Sequence, residues 1–341
     1  MNIKEKKILI INNGSTSVKL SLFNLKGDLL ESIIFKNEEK KEKKLWLEKI
    51  EDLEKIGFRI VHGGNMSGVV ELNKKALKKI EEFKIFAPIH NSLVLLEIEN
   101  VRRIFAKQKF FGYFDTAFHQ TIQESIYTYP INQKIAKKYN IRKYGFHGIA
   151  VESALNKIEK LYKNEKIKLP KNIIFSHLGG GSSITAVKNK KSFATTMELT
   201  PISGLMMNTR VGNVDSDLDK ILVQKMGKTI YEISDMLNYE SGFFGLTGKK
   251  GMKNIFDEWK AKSNEKSVLA VEIYLKEIIE RISGFAGLMG GVDLIVFSGG
   301  IGFKNKYLSK EVVKRLEKTF GKINFLKVEV DEEKIIFEKI K

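Results

Sequence analysis

Apolar and polar positions are blocked along the first part of the chain in a way that predicts its elements directly. Lys7 to Asn12 is a buried-strand run, unbroken apolar from Ile8 to Ile11, and it ends in a turn at Asn13-Gly14. Val18 to Phe23 follows with strand-like alternation, and Lys26-Gly27-Asp28 marks the next turn, so the chain opens on a β-hairpin. Lys40 to Lys55 reads as a charged amphipathic helix with Leu45, Leu47, Ile50, Leu53 and Ile56 as its apolar members, ended by Gly57. Phe58 to His62 is a short strand running into Gly63-Gly64. Helices over Lys74 to Phe86 and Ser92 to Ala106 precede a buried strand, Phe110 to Phe114, which ends on Asp115.

The opening pattern then recurs. An apolar strand, Ile173 to Phe175, runs into Gly179-Gly180-Gly181-Ser182-Ser183 and on to Ile184–Val187. Set beside Gly14-Ser15-Thr16-Ser17, it is again strand, Gly-hydroxyl turn, strand, which suggests a duplicated domain. Val268 to Leu288 is a long helix, and Val292 to Phe297 a buried strand feeding Ser298-Gly299-Gly300-Ile301-Gly302, a turn of the kind that cradles phosphate at a helix start. The architecture implied is two α/β domains, 1–117 and 118–341, with a cleft between them. A chain of 341 residues suits two cores better than one.

Composition narrows the function classes. There is no cysteine, so disulfides and thiolate chemistry are excluded. No apolar run approaches a membrane span, and the start is too short for a signal-peptide core, so a cytoplasmic location is expected. The net charge of +18 raises a nucleic-acid reading. The lysines, however, are scattered and mixed with glutamate, as in Asn37 to Glu54, without the interleaved arginines and aromatics of a nucleic-acid surface. Attraction of anionic substrates is one alternative, and compositional bias without function is another.

The candidate chemistry lies at strand ends. His62, His90, His119, His147 and His177 all sit in Gly-rich or Phe-flanked, turn-like contexts, where α/β sites assemble; one alone would read as a satisfied structural group. None pair at zinc spacing, so a metal held by oxygens and phosphate, Mg²⁺, is expected instead. Arg59 and Arg210 stand out in a lysine-biased sequence, because only arginine offers a planar fork for carboxylate or phosphate. A structural ion pair is the competing explanation.

The ordered motifs make the resemblance specific. They are Ile11 to Lys19, Arg59-Ile60-Val61-His62-Gly63-Gly64, Ala87-Pro88-Ile89-His90-Asn91, Phe114 to Gln120, Tyr144-Gly145-Phe146-His147-Gly148, His177-Leu178-Gly179, Thr200 to Arg210, Ser241 to Gly245 and Phe297 to Gly302. In that order they resemble the acetate kinase family, part of the superfamily of sugar kinases and actin. The resemblance covers nearly the whole chain.

It implies two duplicated actin-like (ribonuclease H-like) domains and reversible phosphoryl transfer between ATP and acetate. It implies that Arg59 and Arg210 hold the carboxylate and the moving phosphoryl, that His147 donates to the phosphoryl oxygens, and that Asp115 orients an arginine or the substrate. Asn12 and Glu332 would place Mg²⁺. Ser15, Ser17 and Lys19, with His90 and His177 nearby, would line the phosphate path. Gly179, Gly180, Gly181, Gly299, Gly300, Ile301 and Lys304 would take the nucleotide. Val61, Ile89, Phe146 and Pro201 would form the pocket for the acid's methyl group. A small carboxylate, a nucleotide and a second copy in a homodimer are the implied partners, with no membrane and no nucleic acid.

The departures from the family cluster on the nucleotide side. Gly180 stands where His-Leu-Gly-Asn-Gly has asparagine, as in butyrate kinases. Lys249 to Asn254 lacks the Asp-x-Arg element that grips adenosine, and Lys304 replaces the asparagine of Gly-Ile-Gly-Glu-Asn. The sequence also shortens toward its C-terminus, where the family's returning final helix is expected to be largely absent. Propionate or butyrate kinase, the same chemistry with a donor such as pyrophosphate, and a non-catalytic actin-like binding module are the alternatives.

Overall fold

The computed structural model describes residues 5–14, 17–249 and 251–341. The chain forms two compact units, the first holding residues up to Gln120 together with Phe146–Asn156 and Val330–Lys341, the second holding Thr121–Gly145 and Lys157–Glu329. Two segments expected with the second domain, Phe146–Asn156 and Val330–Lys341, are therefore packed with the first.

The first unit opens with strands β1 (Lys7–Asn13), β2 (Ser17–Asn24) and β3 (Leu29–Lys36), helix α1 (Lys40–Glu48) and strands β4 (Leu53–Ile60) and β5 (Val69–Glu71). Helix α2 (Lys74–Glu82), a 3₁₀ turn (Phe83–Phe86), helix α3 (Pro88–Ile104), strand β6 (Lys109–Phe114) and a second 3₁₀ turn (Ala117–Thr121) follow. The sheet order is β3-β2-β1-β4-β6-β5, with β1, β4 and β6 mutually parallel. Because β1 lies centrally, its successive side chains bury on opposite faces, as its unbroken apolar run requires. Leu9 and Ile11 pack with Phe58, Ile60, Val94 and Ile98; Ile8 and Ile10 pack with Phe23, Ile336 and Ile340.

The helix expected over Lys40–Lys55 is shorter than its apolar spacing suggested. It stops at Glu48, and the chain turns through Asp52, at φ +60°, into β4. Leu53 and Ile56 fit a helical period, but Ile56, Phe58 and Ile60 alternate, and pairing with β1 and β6 on either side decides for strand. Strand β3, an edge strand with exposed Leu29, Leu30 and Ile34, has no alternation that could announce it. The expected helix over Lys74–Phe86 closes in the 3₁₀ turn, and α3 begins at Pro88, a residue suited to a first helical turn.

The second unit contains α4 (Glu124–Tyr127), α5 (Gln133–Lys138), the later part of α6 (Gly148–Asn164), β7 (Asn172–Leu178), β8 (Ser182–Lys188) and β9 (Lys191–Thr195). Helices α7 (Leu218–Met226), α8 (Ile230–Tyr239), α9 (Gly242–Thr247), α10 (Met252–Ala261) and α11 (Glu265–Met289) lead to β10 (Leu294–Ser298), α12 (Gly299–Lys304), α13 (Leu308–Phe320) and β11 (Asn324–Lys327). Its sheet order is β11-β10-β7-β8-β9. Strand for strand, β9-β8-β7-β10-β11 repeats β3-β2-β1-β4-β6: an antiparallel meander followed by two parallel strands. The duplicated actin-like fold is thus visible in the connectivity itself.

Helix α14 (Glu332–Ile340) corrects the expectation of a missing final helix. Asp331 caps it by accepting from the Lys334 amide at 3.0 Å, and its apolar face lies on β1 and β4. Gly57 lies inside β4 rather than at a helix end; a Cβ there would stand 2.6 Å from Ile340 Cδ1. Among the described residues no helix is long and apolar enough to cross a membrane.

Candidate functional site

In the first unit the parallel strands β1, β4 and β6 deliver Asn12, Arg59 and Asp115 side by side at their carboxyl ends, where α/β sites form. Arg59 donates side-on to Asp115, Nε to Oδ1 at 3.1 Å and Nη2 to Oδ2 at 2.7 Å. Its Nη1 donates to Asn12 Oδ1 at 3.1 Å and meets Glu332 Oε2 at 2.9 Å. Asn12 Nδ2 in turn donates to Glu332 Oε2 at 3.0 Å and Glu333 Oε1 at 2.6 Å, while Lys19 Nζ holds Glu333 Oε2 at 2.6 Å. The two glutamates stand in the first turn of α14, where the helix dipole favours anions.

Burial works against the Arg59 charge, but the surrounding carboxylates, Asp115 foremost, outweigh it and hold the guanidinium above its ordinary range. Burial pushes the Asp115 carboxyl up to about 6, against the pull of Arg59. Lys19 stays above its usual value because Glu333 outweighs the burial that would lower it. The network carries three carboxylates and two cations. Glu333 is absent from the sequence-level candidates; its only signal there is a second acidic residue beside Glu332.

His147 lies at φ +59°, in the left-handed region that a side chain bearing Cβ seldom occupies. It stands immediately before α6. Gly148 donates its amide to the Asp115 carbonyl at 3.0 Å, and a Cβ on Gly148 would sit 2.3 Å from that same oxygen. Glycine is needed there for close approach. On the other side, the Phe146 carbonyl accepts from His119 Nε2 at 2.9 Å. His119 is fully buried, and burial pushes its imidazole down to about 4, so it is neutral at physiological pH.

Val61, Phe146, Ile89 and His90 also belong to this unit; the first two are buried, and Ile89 and His90 are half-buried in the first turn of α3. His62 stacks on Phe83 and meets Phe146 edge-on, with ring centroids 5.2 and 5.4 Å away. Asn91 fixes that turn from within the core, accepting from the His62 amide and donating to the His62 and Ile80 carbonyls. Ser17 opens β2, its carbonyl accepting from the Gly14 amide at 2.8 Å. Ser15 lies outside the described residues.

In the second unit, Arg210 Nη1 donates to the Pro201 carbonyl at 3.2 Å, so two expected site residues meet directly. Burial holds this guanidinium below its ordinary value. The Gly179–Gly181 turn joins β7 to β8, with Gly179 donating to the Gly181 carbonyl at 2.9 Å and Asn208 to the Gly180 carbonyl at 3.3 Å. His177 Nδ1 lies 3.1 Å from Ser298 Oγ at the start of the neighbouring Gly299–Gly300 turn. Gly299, at φ +78°, would place a Cβ 2.5 Å from the Leu178 carbonyl.

Gly300, Ile301 and Lys304 line a cavity of about 540 Å³ together with Met252, Lys253 and Phe256. The His177–Gly181 turn is not part of that lining. Asp257 and Tyr307, which also face the cavity, carry no sequence signal of that role.

Among the described residues no three His, Asp or Glu side chains converge as a metal cage. Asn12 Oδ1 and Glu332 Oε2, which share Arg59 Nη1 as their partner, are nonetheless hard oxygen donors of the sort that hold Mg²⁺ together with phosphate and water.

The sequence profile of the acetokinase family matches residues 32–339. Acetate kinase of Mycoplasma capricolum subsp. capricolum is 32% identical, over 96% of this chain and 90% of its own. A propionate kinase from Francisella tularensis superposes with a TM-score of 0.87 at 29% identity, covering 98% of both chains. Porphyromonas gingivalis acetate kinase superposes at 0.83 with 28% identity, covering 98% and 99%. Duplicated sheets, the Arg59–Asp115 pair at the strand ends and a match over nearly the whole sequence converge on one conclusion: this chain belongs to the acetokinase family.

Proposed function

We propose that the protein is an acetate kinase that transfers a phosphoryl group reversibly between ATP and acetate, directly and in line, giving acetyl phosphate and ADP. Membership of the family makes it a phosphotransferase with a carboxylate acceptor and ATP as co-substrate. The observation that carries the reading is the side-on grip of Asp115 on Arg59, which fixes a planar fork at the strand ends. Such transfer needs positioning and charge neutralisation more than covalent chemistry.

Arg59 and Arg210 would bind the acid's carboxylate and the moving phosphoryl, and His147 would donate to its oxygens. Val61, Ile89, Phe146 and Pro201 would enclose the methyl group. Ser15, Ser17, Lys19, His90 and His177 would follow the phosphates, and the cavity at Gly300, Ile301 and Lys304 would take the nucleoside. Mg²⁺, held by Asn12 and Glu332, would neutralise phosphate charge. A cytoplasmic homodimer is part of the same proposal.

The likeness to a propionate kinase supports a second reading with a longer acid. A hydroxamate assay of acyl phosphate, run with ATP, other nucleotides and pyrophosphate against acetate, propionate and butyrate, tests both. The highest kcat/KM is expected with ATP and acetate; a higher value for propionate or butyrate moves the assignment, and no product with any pair removes it.

A further inference from the structure

We infer that His119 is a positioning residue for His147, holding the peptide that precedes it so that its imidazole is presented in one orientation. The inference rests on the proposed role of His147. Its basis is the arrangement on both sides of that residue. Upstream, the Phe146 carbonyl lies 2.9 Å from His119 Nε2; downstream, the Gly148 amide donates to the Asp115 carbonyl at 3.0 Å. Both anchors come from one short stretch, Asp115 to His119, whose second half is a 3₁₀ turn. Between them His147 occupies φ +59°, a conformation that persists only where its surroundings over-determine it.

A carbonyl can only accept, so His119 must carry its proton on Nε2. The ring is fully buried, with Phe118 edge-on at 5.8 Å. His119 stands within the 3₁₀ turn that follows Asp115, the partner of Arg59. One stretch of backbone thus aligns the arginine fork and the histidine of the same unit.

The test uses the full-length protein and three variants. His119→Phe keeps the ring volume and removes the donor; His119→Gln places an amide N–H near the Nε2 position; His119→Asn is too short to reach. The expected result is a fall in kcat of about tenfold or more for Phe and Asn, in the range that small misplacements of reacting groups produce. The KM for acetate and ATP stays within about twofold, and Gln recovers most of the activity, as a restored donor should.

His119→Phe combined with His147→Ala should be no slower than His147→Ala alone, since a residue acting through another adds nothing once the other is gone. Wild-type kcat in both Phe and Asn variants, failure of Gln to rescue, or additive losses in the double variant would each overturn the inference. So would a loss of kcat that merely tracks melting temperature in every variant. A wild-type protein without acyl-phosphate activity, or a fully active His147→Ala, strikes instead at the proposed function.

Discussion

Asp115 holds Arg59 through both carboxylate oxygens, at 2.7 and 3.1 Å, with the guanidinium edge Nε–Nη2 turned toward it. The remaining Nη1 is left for Asn12 and Glu332. The geometry uses the flatness of arginine, and a lysine ammonium cannot reproduce it. Arg59→Lys should therefore lower kcat/KM by about 10²- to 10³-fold, the scale of removing one electrostatic donor from a transition state. Arg59→Ala should also destabilise the fold by about 3 kcal/mol, because Asp115 is left buried and unpaired. Steady-state kinetics and urea unfolding of the two variants check both parts; a fully active Lys variant would remove the fork from the mechanism.

Gly180 and Gly299, in the two turns proposed to take the nucleotide, should respond in opposite ways. A Cβ at Gly180 meets nothing within 4 Å, and its φ is not positive, whereas Gly299 has φ +78° and a Leu178 carbonyl in the way. Gly180→Asn is expected to change stability by no more than about 0.5 kcal/mol while altering the KM for the donor. Gly299→Ala should cost about 2 kcal/mol or more, from strain and the clash together. Melting temperatures and donor KM values of both variants decide it.

Acid should weaken the fold through His119. Burial lowers its folded-state pKa to about 4, so the unfolded chain takes up the proton first. The contribution is fully present above the ordinary histidine range and is lost as pH falls from about 6.5 toward about 4. His119→Gln does not titrate. The stability difference between wild type and this variant should therefore shift by roughly 2 kcal/mol, in the variant's favour, between pH 7.5 and pH 5. Urea unfolding at the two pH values measures it, and an unchanged difference would contradict a buried neutral imidazole.

Under the proposed function, Val61 limits the length of the acid. It is buried one residue after β4 ends, two residues beyond Arg59. Val61→Ala should raise the ratio of kcat/KM for propionate over acetate by about tenfold, which is what one or two methylenes are worth in an apolar pocket. Competition assays with the two acids give the ratio directly.

Much of the fold was legible because β1, β6, β7 and β10 are buried runs with turn residues at their ends, and burial on both faces leaves an unbroken apolar signature. The turn into β4 was not. Leu53 and Ile56 satisfy a helix period, and only pairing with β1 and β6, set by distant parts of the chain, makes that stretch a strand. The candidate residues Asn12, Arg59, Asp115 and Glu332 could be named from motifs, but their mutual hydrogen bonds could not, since strand order brings them together. Glu333 escaped, and His119 was legible only as one of five histidines, for the same reason: their parts lie in partners that sequence spacing does not reveal.

Helix α14 has a consequence for the order in which the molecule is made. Asn12 meets Glu332 across 320 positions of sequence, and Lys19 meets Glu333 across 314. A ribosome releases the first sheet's strands long before it adds the glutamates that close their ends. Until then, Arg59 has Asp115 and Asn12 but lacks its downstream carboxylate, and the β1–β4 face stays bare of Ile336 and Ile340. The nascent first unit therefore carries an apolar face and an incomplete charge network until α14 emerges and completes both.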